Sequence, residues 1–334
     1  MRDPARGARD DGRGPRGGSC LRVDAHGAFD HAAALATLAA HAVDGLHRLD
    51  LEAGTFTRWV TIGDAPHLVT TSLDSAGASL GTTAQDAAVH VELVRRTEHF
   101  FDLAADLGPV DAHLGADPLF AAQVRQRPGL RITRFRPPFE AVICTVLGQQ
   151  VSLSAGRLFA GRLVAAYGAE PPSEAADAAV SAGARAAADD TDPAGGTDPA
   201  DGTDPAGGLD GAGLRLFPIP AELAAVPVDE LRAAVGLTGS RARTVHEAAV
   251  LCAEDGGGEE LPERSALADV HGIGAWTLDH LDLRARTDVD VLPASDAVLR
   301  RTLAALDPSA DRARIASWSP HRGYAAARLW AFGL

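Results

Sequence analysis

Polar and apolar positions alternate with two different periods along this chain, and the changes of period divide it. Asp30 to Ala42 has helical spacing, Trp59 to Ser72 has the two-residue alternation of a strand, and Ala88 to Leu107 is helical again, which predicts a mixed α/β domain over residues 20–115. From Pro118 onward the spacing is helical throughout. Phe139, Val142, Ile143, Val146 and Leu147 mark one face, and Leu158, Leu163 and Val164 continue a second helix. Further helices are predicted over Pro220–Ala225, Pro227–Val235, Ser240–Glu254, Leu267–Val270, Ala275–Leu283 and Tyr324–Trp330, and over Ala297–Leu306 behind a cap at Ser295 or Asp296. The expected fold class is α+β, with the α/β domain followed by an all-α region over 116–334.

Two segments fall outside this pattern. Residues 1–19 hold almost no large apolar side chain and are expected to form a disordered basic tail. Residues 169–213 carry ten acidic side chains against Arg185 alone, and include three tandem hexads of the form Thr-Asp-Pro-Ala-x-Gly beginning at Thr191, Thr197 and Thr203. Proline and glycine in every hexad stop helix and strand alike, so the segment is expected to be a disordered surface insertion.

Composition narrows the chemistry. The formal charge is -14, unusual for a partner of polyphosphate, but about -9 of it lies in the acidic insertion, which leaves room for a local basic patch. Cys20, Cys144 and Cys252 are too scattered for a disulfide framework, a structural zinc or an iron–sulfur cluster. No run of eighteen apolar residues and no leader-like apolar stretch occurs, so a cytoplasmic protein without a membrane partner is expected. All 31 basic side chains are arginine, so only the α-amino group of Met1 offers an amine for Schiff-base chemistry.

The stretch from Leu267 to Asp296 concentrates the candidate chemistry. His271-Gly272-Ile273-Gly274-Ala275-Trp276-Thr277 is a Gly-x-Gly turn between helices, which lets amides at the start of the second helix approach an anionic oxygen. Taken alone, such a turn is usually a plain connection. About twenty residues later, Val289-Asp290-Val291-Leu292-Pro293-Ala294-Ser295-Asp296 delivers a carboxylate to the same neighbourhood. Asp296 reads equally as a helix cap, and the two roles are compatible, because helix amides favour the ionised form that an electrostatic stabiliser needs.

These pieces occur in order with Pro128-Gly129-Leu130-Arg131, Pro138-Phe139-Glu140, Leu147-Gly148-Gln149-Gln150-Val151-Ser152 and Trp318-Ser319-Pro320-His321-Arg322-Gly323-Tyr324-Ala325. Together they resemble the 3-methyladenine DNA glycosylase II family of the helix-hairpin-helix superfamily, from about Leu21 to Leu334, interrupted by the acidic segment. The resemblance implies that Asp296 stabilises an oxocarbenium-like sugar, and that Gly272, Ile273, Gly274, Ala275 and Thr277 bind the DNA backbone. It places a monovalent cation on the carbonyls of Ala268, Val270 and Ile273, with no organic cofactor. Trp276, Trp330 and His280 correspond to the base pocket, and Gln150 to the wedge that replaces a flipped nucleotide. Gln149 and Gln150 serve equally as caps of the preceding helix, and a lone tryptophan or histidine more often packs in a core. Arg322 and Tyr324 are expected to anchor the last helix.

Trp276 stands where bifunctional members of the superfamily carry their lysine, which implies a monofunctional enzyme. The implied activity is excision of alkylated purines from double-stranded DNA by a monomer. The alternatives are a catalytically silent damaged-DNA-binding protein and a glycosylase for deaminated bases.

Overall fold

The computed structural model describes residues 19–134, 137–179 and 209–333. The N-terminal part is a five-stranded antiparallel sheet of β1 (Ser19–Asp24), β2 (Arg48–Asp50), β3 (Thr55–Ile62), β4 (Ala65–Asp74) and β5 (Gly77–Thr82), ordered β1-β5-β4-β3-β2. The run Trp59 to Ser72, expected as one strand, is most of a hairpin. The register pairs Ile62 with Ala65 across a two-residue turn at Gly63-Asp64, and Gly63 takes φ +59°, as a tight hairpin requires. Between β1 and β2 runs α1 (His31–His41), capped by Asp30, whose side chain accepts from the Ala33 N–H.

After the sheet comes α2 (Ala87–Phe100). Its expected extension to Leu107 is cut off where Asp102 adopts φ +56°, a conformation that stops a helix. The buried Asp102 carboxylate accepts from Arg134 Nη1 at 2.8 Å and from the Tyr324 hydroxyl at 2.7 Å, and these charge-assisted bonds fix the turn. Two short helices that sequence spacing did not reveal follow, α3 (Gly108–Gly115) and α4 (Ala121–Gln126).

The helical region is built on α5 (Pro138–Leu147), whose residues from Phe139 to Leu147 are buried except for Cys144. Around it pack α6 (Leu153–Tyr167), α7 (Pro220–Ala225), α8 (Val228–Val235) and α9 (Gly239–Glu254) in one core with Leu163, Leu223, Leu231 and Val245. Then follow α10 (Arg264–Asp269), α11 (Ala275–Arg284), α12 (Ala297–Leu306), α13 (Arg312–Ser317) and α14 (Arg322–Gly333). A second core beneath the last helix gathers Leu283, Leu299, Trp318, Tyr324 and Leu329 with Leu114 and Phe120. The sheet is tied to α5 through buried Glu140, which pairs with Arg58 at 2.6 Å and faces His47 at 3.7 Å.

The flanks of the acidic segment depart from the expected disorder. Residues 173–179 are helical, the Leu216 N–H donates to the Ala169 carbonyl, and Ala179, Leu209 and Leu214 pack on Trp59 and Leu68 of the sheet. Arg48 donates to the carbonyls of Asp210 and Ala212 at 2.5 and 2.6 Å, so local apolar contacts and one arginine order these ends. The three hexads and residues 1–18 lie outside the described residues. Among the described residues no helix is long and apolar enough to cross a membrane.

Candidate active site

Three elements converge on the Asp296 carboxylate. At the start of α12 its Oδ1 accepts from the N–H groups of Val298 and Leu299, at 3.0 and 2.9 Å. From α11 the Trp276 Nε1 donates to Oδ2 at 3.0 Å, and from α14 the Trp330 Nε1 donates to Oδ1 at 3.3 Å. The side chain is therefore both a helix cap and the shared acceptor of two indoles. It remains partly open to solvent.

The residues expected to form a base pocket are brought together. His280 lies one turn after Trp276 on α11 and stacks on it, with ring centroids 5.2 Å apart and planes 26° apart. The same imidazole meets Trp330 edge-on at 6.0 Å. Both tryptophans are half-buried, with their polar edges turned to Asp296, and Trp330 also packs against the core beneath the last helix.

The hairpin between α10 and α11 has the expected shape. Gly272 takes φ +84°, and a Cβ there would lie 2.5 Å from Thr244 Oγ1, so glycine is required twice over. Gly274 is different: its backbone is extended, and nothing lies within 4 Å of where a Cβ would stand. It opens space in front of α11, a helix with no side-chain cap, as is also true of α3, α4, α5, α7, α8 and α10. The first amides of α11, including that of the exposed Ala275, are thus offered to an outside acceptor with the helix dipole behind them.

Two residues assigned to DNA contact have buried side chains. Ile273 is buried and its N–H donates to the Val270 carbonyl at 3.1 Å, closing the turn. Thr277 is buried with its hydroxyl accepting from Gln149. Packing takes both side chains because the hairpin must be anchored to α5 and α9. Among the described residues no group of three or more His, Cys, Asp or Glu side chains could hold a metal ion. A cation at the turn would rest on main-chain oxygens, of which that of Val270 already accepts one hydrogen bond.

Gln150 stands exposed at the turn after α5 with φ +53°, a conformation uncommon for a side chain of this size. Sequence reasoning gave Gln149 only a capping role, but its Nε2 reaches 3.0 Å to the Gly272 carbonyl and its own carbonyl accepts from Arg241 Nη2. Burial pulls the Arg241 guanidinium below its ordinary value. A second overlooked residue is Arg284, four positions after His280, whose guanidinium lies 4.5 Å over the Trp330 ring. Its spacing from Trp276 and His280 was the available signal. As expected, Arg322 and Tyr324 anchor the last helix: Arg322 pairs with Asp290 at 2.9 Å and Tyr324 with Asp102.

A sheet domain, a helical region, a glycine hairpin between α10 and α11 and a carboxylate bound by two indoles make up the site. The AlkA N-terminal domain description matches residues 20–136. A probable bifunctional transcriptional activator/DNA repair enzyme AlkA of Mycobacterium tuberculosis is 30% identical over 244 residues, covering 70% of this chain and 41% of that protein. The chain thus spans about two fifths of the length of the first curated relatives it matches. DNA-3-methyladenine glycosylase 2 of Escherichia coli is 25% identical over 309 residues, covering 90% of this chain and 93% of that one. The solved 3-methyladenine DNA-glycosylase of Archaeoglobus fulgidus superposes with a TM-score of 0.68 at 16% identity, over 93% of this chain and 97% of that one. The N-terminal part of the chain thus matches the AlkA N-terminal domain, and the chain is similar along most of its length to DNA-3-methyladenine glycosylase 2.

Proposed function

We propose that this chain is a monofunctional DNA glycosylase that flips an alkylated purine, such as 3-methyladenine, out of duplex DNA and hydrolyses its N-glycosidic bond. The observation that carries this reading is the Asp296 carboxylate, held by two helix amides and two indole N–H groups beside the aromatic wall of Trp276, His280 and Trp330. A base extruded from the helix stacks against that wall, and the open approach at Gly274 admits a backbone phosphate to the first amides of α11. As the C1′–N bond lengthens, the base takes the bonding electron pair and the sugar gains oxocarbenium character, which the carboxylate stabilises. Water then adds to C1′ and gives up a proton, and an abasic site remains. A cationic alkylated base leaves as a neutral molecule, so no separate acid is needed to protonate it.

Trp276 at the lysine position, in a chain whose basic side chains are all arginine, supports hydrolysis without strand cleavage. The test is release of free base from methylated duplex DNA and from a hypoxanthine duplex, with strand breaks scored before and after hot alkali. Base release with breaks only after alkali, lost in Asp296→Asn while damaged-DNA binding persists, is the expected result. Damage-selective binding without release by the unmodified chain would replace the proposal with a silent damage binder.

A further inference from the structure

The aromatic wall is backed by a fixed positive charge. Trp276, His280 and Arg284 occupy successive turns on one stripe of α11, and α14 crosses that stripe so that Trp330 meets both the imidazole and the guanidinium. Arg284 Cζ lies 4.5 Å from the Trp330 ring centroid, a cation–π distance. Its Nη1 donates to the Thr133 carbonyl at 2.5 Å, and the neighbouring Arg134 is itself bound to Asp102, so the guanidinium is anchored in place. The residue is half-buried and its Nε is shielded from solvent. That burial pushes the guanidinium down to about 10, with Asp296 opposing the fall and Arg134 adding to it, so the charge persists at neutral pH. At most one face of Trp330 is left for a base.

Resting on the glycosylase reading above, we infer that Arg284 tunes the charge preference of the base pocket, reducing the advantage of cationic over neutral damaged purines. A ring that already holds a cation on one face attracts a second cation less from the other, and the two positive charges also repel through an interior that screens poorly. A neutral base, such as a deaminated or etheno-bridged purine, stacks on the same ring without that penalty. Arg284 opposes the attraction that the carboxylate and two tryptophans exert on N-methylated cationic purines. It therefore acts on selection, through Trp330, and not on the bond-breaking step.

The experiment compares kcat/KM on duplexes holding one 7-methylguanine, a cationic lesion, or one hypoxanthine, a neutral lesion, for the unmodified chain, Arg284→Met and Arg284→Lys. Removing the charge in Arg284→Met is expected to raise the cationic-to-neutral ratio about tenfold, the scale of one desolvated cation–π contact, while Arg284→Lys keeps the original ratio. Where Arg284→Met does not fold, Arg284→Gln keeps a donor for the Thr133 carbonyl and gives the same comparison. An equal change on both lesions in the uncharged variant, or a lysine variant that matches the uncharged one, overturns the inference while leaving the glycosylase intact. If the unmodified chain releases neither base, the glycosylase reading fails and takes this inference with it.

Discussion

Gln149 is bonded to Thr277 across 128 residues of sequence: its Nε2 donates to the Thr277 hydroxyl at 2.8 Å while also reaching the Gly272 carbonyl at 3.0 Å. The exposed Gln150 turn and the glycine hairpin are therefore one mechanical unit. On the proposed function, a phosphate held by the hairpin would fix where Gln150 stands relative to the duplex. Arg241, on the helix between them, holds the Gln149 carbonyl from behind.

Breaking that link should cost more in duplex than in single-stranded DNA. Gln149→Ala removes two neutral hydrogen bonds, about 2 kcal/mol together, and is expected to slow excision from duplex DNA roughly tenfold or more. Excision from a single strand, where no stacked partner has to be displaced, should change far less. The check is single-turnover excision on both substrates, with Gln150→Ala completing a double-mutant cycle. Additive effects of the two changes would mean that hairpin and wedge turn act separately.

The two indole bonds to Asp296 are predicted to be unequal. Trp276→Phe keeps an aromatic face but removes the 3.0 Å donor, and a hydrogen bond to a charged group contributes about 1.5–3 kcal/mol, so kcat should fall roughly ten- to hundredfold. Trp330→Phe removes a longer bond, 3.3 Å, and should cost less in kcat. Measuring kcat separately from KM decides between this and a stacking role, in which KM would move and kcat would not.

The two hairpin glycines should separate folding from binding. Gly272→Ala forces an alanine into φ +84° against Thr244 and is expected to destabilise the protein by about 1–3 kcal/mol. Gly274→Ala meets extended backbone and empty space, so its melting temperature should stay near that of the unmodified chain. The added methyl group stands where a phosphate must approach, and duplex binding should weaken at least several-fold. Unchanged DNA affinity in Gly274→Ala would show that the phosphate does not enter there.

How far the sequence foretold this architecture depended on where the decisive partners lie. The cap at Asp296 is legible because capping is local: its side chain bonds amides two and three residues on. The short helices α3, α4 and α13 were not separated from their surroundings by spacing, although α7 and α8, which are no longer, were. The β3–β4 hairpin was hidden because its two-residue turn barely interrupts the alternation. At the site, the carboxylate and the aromatic residues were recognisable by motif. The contacts of Gln149 with Thr277 and of Arg284 with Trp330 depend on how α5, α11 and α14 pack, which no local pattern encodes.

The anchor of the last helix gives a pH-dependent prediction. Asp290 accepts from Arg322 Nε at 2.9 Å, from Arg322 Nη2 at 3.0 Å and from the Ser319 hydroxyl at 2.7 Å, at the start of the helix that carries Trp330. The guanidinium holds the Asp290 carboxyl at about 2, below its ordinary 3.8. A carboxyl depressed in the folded state contributes its full stability above the unfolded value and loses it as pH falls through the folded one. Asp290→Asn should therefore melt below the unmodified chain at pH 7, with the gap closing between about pH 4 and pH 2. Both partners are about one-third exposed, so the gap should be modest and should shrink with added salt. A gap that stays constant over that range would place the role of Asp290 in its neutral hydrogen bonds to Ser319 and the Arg322 amide.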